Sequence, residues 1–154
     1  MGGLGLLGYA LLASETDEEA IQEQLHQLES AVYVREGEGL VYRRVRLQAE
    51  FTELFTADAH VEAPELGQLP RGPAGLATVG ARLGQLYDTA EATFHQVRIE
   101  VGPAADTAEV SAIARLSGNR HGQGYGTDER ECLLRFVLDD GEWLIASGLV
   151  TEPE

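Results

Sequence analysis

The hydrophobic period of this chain changes once, near Glu91, from 3.6 residues to 2, and that switch restricts its fold more than any other feature. Ahead of the switch, Ile21, Leu25, Leu28 and Val32 recur at i, i+4, i+7 and i+11, the spacing of one helical face. Thr16 and Glu19 have capping-box spacing, so the pattern predicts a first helix from there to about Val34, broken by the glycines of residues 35–39. A second helix is expected over residues 40–55, with Val41, Val45 or Leu47, Phe51, Leu54 and Phe55 as its apolar set. Its Arg43, Arg44 and Arg46 read as a solvated face beside Glu50 and Glu53. A short strand over residues 59–63 follows, then a third helix entered at Pro73 and carrying Leu76, Val79, Leu83, Leu86 and Tyr87. Gly75, Gly80 and Gly84 weaken that helix and read as close packing on a sheet.

Past the switch, four strands are expected. Val97, Ile99 and Val101 share a face with His95, and Ala108, Val110, Ala112, Ala114 and Leu116 alternate in the next strand. Cys132, Leu134, Phe136 and Leu138 alternate in the third, and Trp143, Ile145 and Leu149 in the last. Residues 117–128 read as a glycine-rich hairpin loop, and Asp140-Gly141 as a tight hairpin turn. Helices first and a strand meander afterwards make an α+β domain with three helices packed on a curved, mostly antiparallel sheet.

The surface chemistry excludes some functions. Asp and Glu number 26 against 11 basic residues, all of them Arg, for a formal net charge of -15. Such a surface repels phosphate backbones, so no nucleic-acid partner is expected. Cys132 is the single cysteine, which rules out an internal disulfide and a multi-cysteine zinc site, and its strand position reads as an inert core thiol. Residues 2–13 form an uncharged apolar run, too short to span a bilayer and without the basic start of a secretory signal. Three readings of this run stay open: a buried start to the first helix, the stub of a longer membrane anchor, or a disordered tail. The chain therefore divides into an apolar extension, 1–13, and a domain, 14–152. The domain is of a bacterial soluble type, extracytoplasmic if tethered through residues 2–13 and cytoplasmic otherwise.

Three phrases and the element order resemble a known group. Residues 55–64 (FTADAHVEAP) are similar to the LYADDATVEDP segment of ketosteroid isomerases. Residues 71–76 (RGPAGL) are similar to the turn into their third helix, and residues 135–145 to the final hairpin of many members. The chain resembles the nuclear-transport-factor-2-like superfamily, of SnoaL-like and ketosteroid-isomerase-like fold. The resemblance implies a cystatin-like roll whose helices and sheet enclose a conical pocket, and pairing of two copies through the sheet. It also implies where a ketosteroid-isomerase template would fall: the base on Ala63, the acid near Leu133 and the tyrosine near Leu28. None of these can move a proton. The expected role is a non-catalytic domain that binds an apolar small molecule or another protein. The alternatives are a SnoaL-like cyclase, dehydratase or hydrolase, and a membrane-tethered accessory domain.

The remaining site candidates come from the residues. His60 and Glu62, two apart on a strand, point to one face and read either as a base with its orienting carboxylate or as a solvent-facing pair on an edge strand. His95 reads as a hydrogen-bonded structural histidine or a ligand. Tyr87, Phe94 and Trp143 are expected in the pocket, Trp143 and Ile145 also anchoring the core. Arg115 is expected to face solvent or a second copy. His26 on the first helix and His121 in the glycine loop complete four scattered histidines with no metal spacing, and no cofactor is expected.

Overall fold

The computed structural model describes the backbone of residues 2–153 and the side chains of residues 17–153. There are three helices, α1 (Gly2–Val32), α2 (Leu40–Leu54) and α3 (Gly72–Gly84), the third entered only after the first two strands. The strands are β1 (Phe55–Ala63), β2 (Gly67–Gln68), β3 (Tyr87–Val101), β4 (Thr107–Arg120), β5 (Gly124–Asp139) and β6 (Glu142–Thr151). They form one sheet in the order β2-β1-β6-β5-β4-β3. Its pairings are antiparallel except for β1 with β6, which run parallel. The expected α+β roll is present.

α1 does not start at Thr16; its helical backbone begins at Gly2. The side chains of the apolar run 2–13 and of Thr16 lie outside the described residues. Farther along, Ile21 and Leu25 are buried as their spacing predicts, and Gln24 and Asp17 fix the helix to the last strand. Gln24 donates to the Trp143 carbonyl at 2.7 Å, and the Trp143 indole N–H reaches Asp17 at 3.4 Å. Trp143 and Ile145 sit in one apolar cluster with Leu47, Phe51, Leu54, Val110, Leu134 and Phe136.

Two β-bulges revise the strand phases. In β3 the register shifts between His95 and Arg98, and Gln96 adopts φ 52. Phe94 therefore packs on the core before the bulge and Ile99 and Val101 after it, while Val97 is exposed. In β6 the shift between residues 145 and 147 leaves Trp143 and Ile145 inward but turns Leu149 outward. A bulge inserts one unpaired residue and reverses every later side chain, which alternation alone cannot reveal. The β4–β5 hairpin is also longer than the glycines imply. It pairs as far as Arg120 with Gly124, leaving only residues 121–123 as the turn, with Gly122 at φ 72.

α2 and α3 depart from their predicted faces. α2 buries Arg43, Leu47, Phe51 and Leu54, while Val41 and Val45 are 65% and 59% exposed. α3 buries Leu76 and the small residues Ala77, Ala81 and Gly84, and Leu83 and Leu86 are exposed. Its glycines admit α2 rather than the sheet: a Cβ on Gly80 would crowd Leu47, and one on Gly84 would overlap the Arg43 guanidinium.

That guanidinium belongs to a buried ionic cluster, not to a solvated face. Arg43 donates to the Tyr33, Val32 and Gly80 carbonyls and to Glu38. Arg46 donates to the Ala31 carbonyl at 2.9 Å, to Glu38 at 2.9 Å and to Glu50 at 2.8 Å. The last carbonyls of a helix have no partner within it, and two cations are well suited to its negative end. Glu38 is 3% exposed in its side chain and is shared by the two guanidinium groups, and Glu50, paired with Arg46, supplies the second negative charge. Burial acts to raise the Glu38 carboxyl, but hydrogen bonds and charge from Arg46 and then Arg43 outweigh it and hold it below the usual carboxylate range.

Candidate functional site

The site to examine first is the concave face of the sheet, closed by α1, α2 and α3. Its inward positions on β1, β4 and β5 include Ala59, Ala63, Val110, Cys132, Leu134 and Phe136, all buried. This face is therefore apolar, and the partly buried Leu28, Val32, Phe94 and Ala114 pack against it. Among the described residues named on this face Cys132 is titratable, and desolvation pushes its thiol up to about 11, so it is neutral near pH 7.

Toward the open end, β5 keeps the same parity and presents Arg130 and Asp128, paired across from Ala114 and Leu116. Two carboxylates here are held by arginines. Glu65, in the turn after β1, receives Arg130 at 2.7 Å and 3.1 Å, and Asp128 receives Arg120 at 3.4 Å. Glu29 on α1 accepts the Phe94 backbone N–H at 2.7 Å.

The carried-over template positions fall unevenly. Ala63 is inward and buried, and Leu28 packs against the apolar face. Leu133 is 46% exposed and on the outer face; the inward neighbours of the acid position are Cys132 and Leu134. The correction follows from the alternation of β5, in which odd positions point away from the helices.

The sequence candidates scatter. His60 and Glu62 point outward from β1, beside Ser147 and Leu149 of β6. Their strand is not an edge, because β2 pairs with it at Glu62 and Ala63. The histidine–carboxylate contacts among the described residues are His26–Glu29 and His121–Asp88, so of the two readings of His60 and Glu62 the outward-facing pair matches the geometry better than the base with its orienting carboxylate. His95 is half-buried and hydrogen-bonded to Thr93 at 2.7 Å, facing outward opposite Ile113. Phe94 packs against the apolar face and Trp143 lies in the core. Tyr87 belongs to a separate small cluster with Val34 and Ala90, its hydroxyl 3.4 Å from Arg120. Arg115 pairs with Glu129 at 3.0 Å on the outer face.

Sequence reasoning overlooked Asp88, whose carboxylate meets the His121 imidazole at 2.6 Å. The two border a depression of about 400 Å³ between the α1–α2 loop and the end of α3. Both side chains are more than half exposed, which makes this a solvated contact worth little. The β3–β4 register, which sets Tyr87 opposite Arg120, is the signal that brings them together.

The outer face of the sheet is organised in rows. Arg98, Ser111, Leu133, Leu149 and Glu62 lie side by side across five strands. Next to them run His95, Ile113, Glu131 and Thr151, and on the other side Glu100, Glu109, Arg135, Ser147 and His60. A shallow depression of about 510 Å³ opens among Arg98, Ser111, Ile113, Glu131, Leu133 and Leu149. The face has an apolar centre flanked by both signs of charge.

Comparison with known proteins places this architecture. The SnoaL-like domain family matches residues 44–147, more than half of the chain. No protein of curated function matches it. Among solved structures, a nuclear transport factor 2-like superfamily protein from Salmonella enterica serovar Typhimurium is similar at 13% identity and TM-score 0.71, covering 92% of this chain and 94% of that one. LinA is similar at 16% identity and TM-score 0.75, over 93% and 90%. Hexachlorocyclohexane dehydrochlorinase LinA-type3 from Novosphingobium barchaimii is similar at 15% identity and TM-score 0.73, over 93% and 90%. At such identities the likeness is one of fold.

Proposed function

Because the chain belongs to the SnoaL-like domain family, whose fold hosts both binding and catalysis, we propose that it is a non-catalytic binding domain that pairs with a second copy through the outer face of its sheet. The observation that carries the reading is the chemistry of the concave face. A dehydrochlorinase or cyclase reaction in that cone needs a group to take or give a proton. Among the described residues the apolar inner face carries a buried neutral thiol, and the carboxylates near it are engaged, Glu65 and Asp128 by Arg130 and Arg120 and Glu29 by the Phe94 backbone N–H. Leu28, Phe94 and Ala114 present the surface that an uncharged apolar guest would meet.

The outer face supports the pairing. Leu133 and Leu149 are exposed at its centre, and Arg98, Arg115 and Arg135 share it with Glu62, Glu109 and Glu131. A two-fold contact places a patch against itself, so both signs of charge must be present on it. The test is the mass of the assembly by sedimentation. Leu133→Glu should halve it while leaving the far-UV circular dichroism unchanged. An unaltered mass would reject the pairing, and turnover of hexachlorocyclohexane or another apolar small molecule lost on Cys132→Ala or Glu65→Gln would reject the non-catalytic role.

A further inference from the structure

The second apolar surface of this protein lies on the helices, on the side of α2 opposite the core. Val41, Tyr42 and Val45 are 65%, 64% and 59% exposed, and Gln48, Ala49 and Thr52 continue the same side, also exposed. At 100° per residue these six positions form one strip about three turns long, roughly 17 Å from residue 41 to residue 52. No charged side chain interrupts it, although the chain has a net charge of -15. Arg44 flanks its N-terminal end, and Glu53 lies beyond its C-terminal end.

We propose that this strip is the docking site for residues 2–13 of a second copy of the chain. The segment is helical in backbone, uncharged, and roughly 18 Å long at 1.5 Å per residue, matching the strip. Leu4, Leu7 and Leu11 recur at i, i+3 and i+7, the spacing that one helix presents to another.

Charge sets the direction. Glu15, Asp17, Glu18 and Glu19 follow the segment directly. Run antiparallel to α2, the segment brings these carboxylates to the N-terminal end of α2, where Arg44 and the positive end of the helix dipole lie. The parallel arrangement would bring them to Glu50 and Glu53 instead.

The contact has to be made between copies. The Val32 end of α1 is held by Arg43 and Arg46 beside the start of α2, and Asp17 is held at Trp143. α1 is one continuous helix, so Leu4 lies roughly 42 Å along its axis from Val32. Within one chain the segment points away from the strip it would cover. This interface is separate from the outer face of the sheet.

Disulfide trapping tests it. Leu7→Cys chains mixed with Val45→Cys chains under mild oxidation should yield a cross-linked pair of one of each. Leu133→Glu placed in both chains should leave that cross-link in place, so its formation does not depend on the sheet interface. Val45→Glu and deletion of residues 2–13 should each remove the same higher-mass species in sedimentation, and the two changes together should remove no more. Absence of the cross-link, or a mass unchanged by Val45→Glu but lowered by the deletion, would overturn the proposal. So would flotation of the full chain with phosphatidylcholine vesicles that is lost on deletion and kept in Val45→Glu, which would make a lipid surface the occupant.

Discussion

The two sides of α2 invert the ordinary distribution of polar and apolar residues. The side packed into the protein carries Arg43, 4% exposed, and the side facing out carries valines and a tyrosine. What decides the inner side is the unfilled hydrogen-bonding capacity of a neighbouring helix, because the last carbonyls of α1 must find donors where water is excluded. A leucine at position 43 would satisfy the apolar pattern and leave those carbonyls bare. The contrast teaches that in this fold a helix is aligned by the end of its neighbour as much as by its own hydrophobic face.

The largest effect should come from breaking the ionic cluster. Glu38→Ala leaves two confined guanidinium groups without their shared carboxylate, and the loss should be roughly 3 to 5 kcal/mol by denaturant titration. A loss no greater than that of a surface substitution would mean that the cluster is hydrated and that helix ends do not align α2. Next in size, Leu47→Ala, at a position fully buried beside Arg43, should cost roughly 2 to 5 kcal/mol. Together the pair separates the polar and the apolar shares of one helix face.

A smaller effect depends on pH. The Glu38 carboxyl is lowered in the folded protein, so its stabilisation is complete above its unfolded pKa and is lost as pH falls through the folded value. Glu38→Gln should therefore flatten the acid side of the stability profile, and a profile parallel to that of the parent would exclude Glu38 as the source. Least of all, Val45→Ser on the outward side should change thermal stability of the isolated domain by about 0.5 kcal/mol or less. A larger loss would show that Val45 is covered within a single chain.

Much of the architecture was legible in the residues. The single change of hydrophobic period gave helices before a meander, and the segments 55–64, 71–76 and 135–145 gave the superfamily. What escaped was whatever depends on a partner distant in the chain. The spacing of Arg43, Arg44 and Arg46 is that of a solvated face, and only the arrival of α1 turns two of them inward. Gln96 and the residue between Ile145 and Ser147 look like ordinary strand positions, yet their bulges exchange the faces of Val97 and Leu149. At the candidate site, the lack of an acid–base set at Ala63 and Leu28 was readable, whereas the outward turn of Leu133 and the Asp88–His121 contact needed the strand register.

The placement of β6 has a consequence for how the protein comes into being. This last strand lies in the interior of the sheet, parallel to β1 on one side and antiparallel to β5 on the other. A nascent chain that has emerged only as far as β5 has nothing to join its first strand to its meander. Its two halves can meet only when residues 142–151 leave the ribosome, which bring Trp143 and Ile145 with them. Pairings between segments so far apart in sequence are slow to form. Until then both β1 and β5 expose open edges to any neighbouring chain, so in that interval this acidic coat, rather than the finished core, keeps the protein from aggregating.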